Sequence, residues 1–201
     1  QINSQKSLFS MVDSATDAYE ILDRLPSDRS GKIFIAKHKT TLKEYIAKVV
    51  KVEDMDHGEV KREYGLYRVL NPDPQNPVEG FPCVYKYEAL KDRSYLIMDK
   101  LGPSIEDLFD LCGQKLSLKT VLMLGLQMLS RIEDVHSKGI IHRSIKPDNF
   151  VMGTGDKAHI VYLIDFGVSV PYRTPEGRHI PFAQHKGLVG NINTQKVGRG
   201  V

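Results

Sequence analysis

Several things are scarce in this chain of 201 residues, and each scarcity excludes something. There are only two cysteines, Cys83 and Cys112, and their spacing matches no metal-ligand motif. We read them as free thiols of a reducing compartment, with a single disulfide as the alternative. No apolar run is long enough to cross a bilayer, and the N-terminus lacks the charged-then-apolar pattern of a secretory signal. Charge of one sign is also scarce: 28 Lys and Arg against 25 Asp and Glu leave +3, spread too evenly to argue for nucleic acid. The sequence has no internal repeat and no low-complexity segment. The expectation is therefore a soluble intracellular protein, cytoplasmic or nuclear, binding neither membrane nor nucleic acid. Because the chain starts at Gln1, trimming of the natural start is expected.

What is present is an ordinary globular composition, 41% hydrophobic and 26% charged, with two kinds of periodicity. Residues Gln1 to Thr16 are polar and aperiodic and read as an extended arm. From Tyr19 the alternation is that of strands: Tyr19-Glu20-Ile21-Leu22, then Lys32 to Ala36 after a polar turn at Pro26 to Gly31, then Glu44 to Lys51. Glu59 to Leu70 predicts a helix with Val60, Tyr64, Tyr67 and Leu70 on one face. Asn71 to Pro82 is a loop by its Pro, Asn and Gly content. Strands follow at Cys83 to Tyr87 and Ser94 to Met98.

At Leu101-Gly102-Pro103 the pattern changes to helical. Ser104 reads as a cap with Asp107 three residues later, and the acids suit the positive end of the helix dipole. Leu118 to Ser137 predicts the longest helix, with a broad apolar face (Val121, Leu122, Leu124, Met128, Leu129, Ile132, Val135) and Gly139 ending it. Short strands at Phe150 to Met152 and Val161 to Ile164 flank a turn at Gly153 to Asp156.

The chemistry concentrates between His142 and Gly167. His142-Arg143-Ser144-Ile145-Lys146-Pro147-Asp148-Asn149, then Asp165-Phe166-Gly167 sixteen residues beyond Asn149, resembles the catalytic and metal-binding loops of a protein kinase. Ala47-Lys48 on the third strand and Glu63 on the next helix stand where such a fold places its strand lysine and helix glutamate. Leu101-Gly102-Pro103-Ser104-Ile105-Glu106-Asp107-Leu108-Phe109, Lys146 to Gly153 and His179-Ile180-Pro181-Phe182 are similar to the LGPSLEDLF, KPDNFLMG and HIPY segments of the casein kinase 1 family, across roughly Tyr19 to Gln195.

The resemblance implies an α+β, two-lobed fold. An N-lobe over residues 17–100 would hold a five-stranded antiparallel sheet and the family's αC helix, and 101–201 would form a partial, mainly helical C-lobe. It implies ATP with Mg²⁺ between the lobes and acidic or already phosphorylated protein substrates. Lys48 would hold the α/β-phosphates, oriented by Glu63, and Lys146 would meet the γ-phosphate. Asn149 and Asp165 would supply hard oxygen ligands to the metal. Met98 would be the gatekeeper, with Asp99 to Leu101 as the hinge. Ile33, Ala47 and Val151 would sandwich the adenine, and Tyr67, His142 and Phe166 would stack as a spine.

Three departures qualify it. Ser144 stands where the family has the Asp that takes the substrate proton, and a hydroxyl cannot hold that proton at neutral pH. Of the phosphate-loop glycines only Gly31 is kept: Pro26 and Asp28 take the other two places, so nucleotide binding should be weakened. After Gly187-Leu188-Val189-Gly190 the family's TARYAS-like segment is missing, and the chain ends at Val201, before the remaining C-lobe helices. Apolar surface would be left uncovered, so the expectation is a fragment, or a face covered by a partner or a second copy. The basic residues Arg173, Arg178, Lys186, Lys196 and Arg199 read as a solvated edge. The leading reading is a pseudokinase with residual ATP and Mg²⁺ binding and a role through protein contacts. The alternatives are an active Ser/Thr kinase and an interaction module that binds no nucleotide.

Overall fold

The computed structural model describes residues 18–25, 32–51, 57–174 and 177–180. The N-terminal arm, the phosphate-loop positions Pro26, Asp28, Arg29 and Gly31, and the segment 181–201 lie outside the described residues.

Five strands, β1 (Tyr19–Arg24), β2 (Ile33–His38), β3 (Glu44–Lys51), β4 (Val84–Ala89) and β5 (Arg93–Asp99), form one sheet in the order β1-β2-β3-β5-β4. Every neighbouring pair is antiparallel. Side chains alternate across a pleated strand, so the register sorts the sheet into two faces. On one face Ile46 and Val50 of β3 and Leu96 and Met98 of β5 pack with α1 (His57–Leu70). The helix begins two residues before the sequence expectation and presents Val60, Leu66, Tyr67 and Leu70 to the sheet, all buried. Glu63 lies between Val60 and Tyr67 on the same helical face, one turn from each, so it is carried into the interior with them. On the sheet's other face Ile21, Phe34, Ala36, Tyr45, Ala47, Tyr95 and Ile97 form a separate cluster, where Tyr45 meets Tyr19 and Tyr85 edge-on at 5.4 and 5.0 Å.

Residues 99–104 join the sheet to the rest. Gly102 N–H donates to Met152 O at 2.8 Å and Met152 N–H to Pro103 O at 2.9 Å, which lays this connection beside β7 (Phe150–Met152). A side chain at Gly102 would put its Cβ 2.9 Å from the Gly153 carbonyl oxygen, so only glycine lets the two backbones come this close. The expected capping box is present at α2 (Ile105–Leu111): Ser104 Oγ accepts from Asp107 N, and the Asp107 carboxylate accepts from Ser104 N. Next comes α3 (Leu118–Ser137), capped by Ser117, with Gly139 following it at φ +71. β7 pairs with β8 (Val161–Leu163), and Gln127 of α3 fastens the pair through Val161 N–H and His159 O. A small ribbon of β6 (Ile140–Ile141) and β9 (Val170–Pro171) was not foreseen.

Only part of α3's apolar face is covered. Leu124, Met128, Ile132 and Val135 pack on the core, while Leu118 and Leu126 are 74% and 71% exposed and Val121, Leu122 and Leu129 stand out with them. Both cysteines are free, Cys83 buried and Cys112 exposed. Among the described residues no helix is long and apolar enough to cross a membrane.

Candidate active site

The loop after β6 is fastened to the segment after β8 by its own side chains. His142 is buried; its Nδ1 accepts from Ser144 N–H (3.2 Å), which assigns the proton to Nε2, donating to Ile164 O at 3.0 Å. Ser169 Oγ donates to His142 O and Arg143 Nε to Val168 O. Arg143 takes φ +65, a left-handed value costly for a residue with a Cβ, so these bonds hold a turn the chain would not adopt alone. Farther along, Pro147 opens a single 3-10 turn that ends at Asn149. Asn149 Nδ2 donates to Ser144 O (2.8 Å) and Ser144 Oγ (3.2 Å), which leaves its Oδ1 as an acceptor, and Asn149 O accepts from Ile164 N–H.

Asp165 follows, at φ +68. Its N–H donates to Tyr67 Oη at 2.9 Å, and its Oδ1 accepts from Lys48 Nζ at 3.0 Å. The same ammonium reaches Glu63 Oε1 and Oε2 at 3.0 and 2.8 Å. Sequence-distant residues of β3, α1 and the loop after β8 thus converge on one nitrogen. Burial opposes the Lys48 charge, but Glu63 and Asp165 outweigh it and hold the ammonium well above its usual range. Burial pushes the Asp165 carboxyl up, yet Lys48 beside it brings the net below the usual carboxylate range. Burial likewise raises Glu63, with Lys48 opposing. Lys146 Nζ lies 3.6 Å from Asp148 Oδ2.

Behind this cluster the Phe166 ring is fully buried, edge-on to Tyr67 (5.0 Å) and His142 (4.8 Å), the stacking expected of these three. Phe81 adds a fourth ring, 6.4 Å from Phe166, that sequence reading missed; it lies inside a loop and carries no periodic signal.

In the apolar half of the cleft, Ile33 pairs directly with Lys48 and so shares its face, and Met98 is on that face too. Val151 packs with Leu101 and Ile164. Ala47 requires a correction. It adjoins Lys48 in sequence, so the pleat turns it to the opposite face, where it packs with Phe34 and Ile97; Ile46 is the residue that shares Lys48's side. Asp99 offers backbone alone, because its carboxylate accepts from Cys83 N–H (2.9 Å) and Tyr85 Oη (2.7 Å). A cleft of about 710 Å³ opens between Leu25 and the stretch Leu101-Gly102-Pro103, with Asp107, Asp110 and Leu111 at its rim; Leu25 was another residue sequence reading did not name.

Burial also depresses the His142 pKa. The imidazole is neutral in the fold, so its contribution to stability is complete above the unfolded value near 6.5 and is lost as pH falls toward and through the lower folded value. The thermal midpoint is expected to drop between pH 7 and 5.5, and to drop less in His142→Phe; equal slopes in the two proteins would exclude His142 as the source.

The family model described as "Protein kinase domain" matches residues 19–185. With a lysine, a glutamate and an aspartate drawn together from three elements under an antiparallel five-stranded sheet, the chain belongs to the protein kinase family.

Proposed function

We propose that this chain is a casein-kinase-1-like pseudokinase that holds a metal-bound nucleotide weakly, lacks the group that would take the acceptor's proton, and acts through protein partners. The observation that carries this is the setting of Ser144. It stands where the resemblance puts the base, with its backbone bonded to His142 and Asn149 and its Oγ facing the Asn149 amide. That hydroxyl can orient an acceptor but cannot keep its proton. Asp148 is no replacement, since its carboxylate turns to Lys146.

The residues at the polar end fit a phosphate ligand. Lys48 offers a fixed positive charge, and Asp165 is 45% exposed, so its carboxylate is open to solvent beside that charge. Asn149 Oδ1 and Asp165 are hard donors suited to Mg²⁺. Among the described residues no group of three or more His, Cys, Asp or Glu could hold a cation unaided. A metal here would therefore need phosphate oxygens and water to complete its shell. When bound, Mg²⁺–ATP would supply a triphosphate whose charge the metal partly offsets; Lys48, Lys146 and the two oxygen donors would hold it.

The exposed stripe of α3 calls for a cover, either a partner or a further part of the same protein. It also keeps the nucleotide-free interaction module in view, and one measurement separates the two. A ligand that binds the folded state raises stability by RT ln(1 + [L]/Kd), about 2.7 kcal/mol at a hundredfold excess over Kd. Mg²⁺ with millimolar ATP is expected to raise the thermal midpoint. No rise would leave the interaction module standing.

A further inference from the structure

The two ends of the cleft differ in openness. At the polar end Asp165 is 45% exposed and Lys146 30%. At the end beside residues 99–101 two side chains on Lys48's face are closed, Ile46 at 9% exposure and its direct cross-strand partner Met98 at 8%, while Ile33 on β2 is half-buried. Opposed β positions bring Cβ atoms to about 5 Å, so a branched and a long side chain there touch and form one apolar plate. Both belong to the continuous core that includes Phe166 and Phe150, and Val151 is 7% exposed. A flat base needs roughly 7–8 Å between the atoms above and below it, two ordinary carbon contacts. Side chains this covered already have protein against them.

From this, and resting on the proposal that the polar end takes a metal-bound phosphate, we infer that Ile46 excludes the base. The cleft takes the metal complex of an oligophosphate or phosphate ester without preference for a purine. The open volume lies farther out, between Leu25 and Leu101 to Pro103, where any base stays in contact with water.

Calorimetry and thermal shift on the full chain test this with Mg²⁺–ATP, Mg²⁺–CTP and Mg²⁺–tripolyphosphate. The unmodified protein is expected to bind all three within about threefold of one another. Ile46→Ala, which opens the plate, is expected to tighten ATP by about tenfold or more while leaving tripolyphosphate unchanged. Should the alanine variant not fold, Ile46→Val removes one methyl and is expected to move ATP affinity in the same direction by less. A preference for ATP over tripolyphosphate of about tenfold in the unmodified protein would overturn the inference and leave the proposed function intact. So would an Ile46 substitution that leaves the ATP-to-tripolyphosphate ratio unchanged. Absence of binding by all three ligands would overturn both.

Discussion

Ser144→Asp is expected to raise phosphate transfer to casein by about 10²–10⁴-fold, the usual contribution of a positioned base. The loop is already shaped to receive the carboxylate. Its backbone contacts at position 144 run through His142 Nδ1 and Asn149 Nδ2, and neither depends on the side chain. Asn149 Nδ2, now 3.2 Å from Ser144 Oγ, would donate equally well to a carboxylate oxygen. Positioning and metal electrostatics carry most of phosphoryl transfer, so a trace rate in the unmodified chain is compatible with the proposal. Equal rates in the two proteins at saturating Mg²⁺–ATP would end the pseudokinase reading. Ser144→Ala is the companion measurement and is expected to match the unmodified chain.

The largest effect on stability is expected from Lys48→Met. The ammonium compensates Glu63, whose side chain is 1% exposed. Removing one member of a buried pair strands the other, at a cost of about 3–5 kcal/mol. Replacing both with apolar groups, Lys48→Met with Glu63→Leu, should recover most of that loss, and urea titrations of the four proteins give the coupling directly. The single variant also predicts a sign with pH. Burial raises the Glu63 carboxyl, and without Lys48 only the smaller effect of the Phe166 backbone hydrogen bond opposes it, so its folded value lies above its unfolded one. The folded state then binds the extra proton, and the deficit should shrink as pH falls from 7 to 5. A deficit below about 1 kcal/mol at pH 7 would mean that the pair is not the desolvated one described above.

Much of this was legible in the chain because its signals are local. The β-branched, roughly alternating run from Glu44 to Lys51 and the Ser104/Asp107 spacing fix a strand and a helix start through nearest neighbours alone, and both appear where expected. Lys48, Glu63 and Asp165 were legible through the resemblance, the first two by their places on the third strand and the next helix and Asp165 by its distance from Asn149. The Ala47 assignment failed because it followed the letters Ala-Lys of a motif instead of the pleat. Counting two residues back from Lys48 leads to Ile46, and with it to a different view of the cleft. The β6–β9 ribbon has two residues per strand, too short to carry a period. The left-handed turns at Arg143 and Asp165 were invisible because surrounding contacts impose them against local preference. For α3 the apolar pattern was read correctly, but periodicity gives the width of a face and not what lies against it.

Tyr67 has a consequence beyond the ring stack. Its phenol belongs to α1, yet its hydrogen-bond partner is the amide of Asp165, and burial with two acidic neighbours keeps it protonated. If the helix swung away from the sheet, the hydroxyl and the amide would each lose this partner, the hydroxyl from a side chain that is now 1% exposed. Outward tilt of the helix would thus pull on the aspartate loop through this bond.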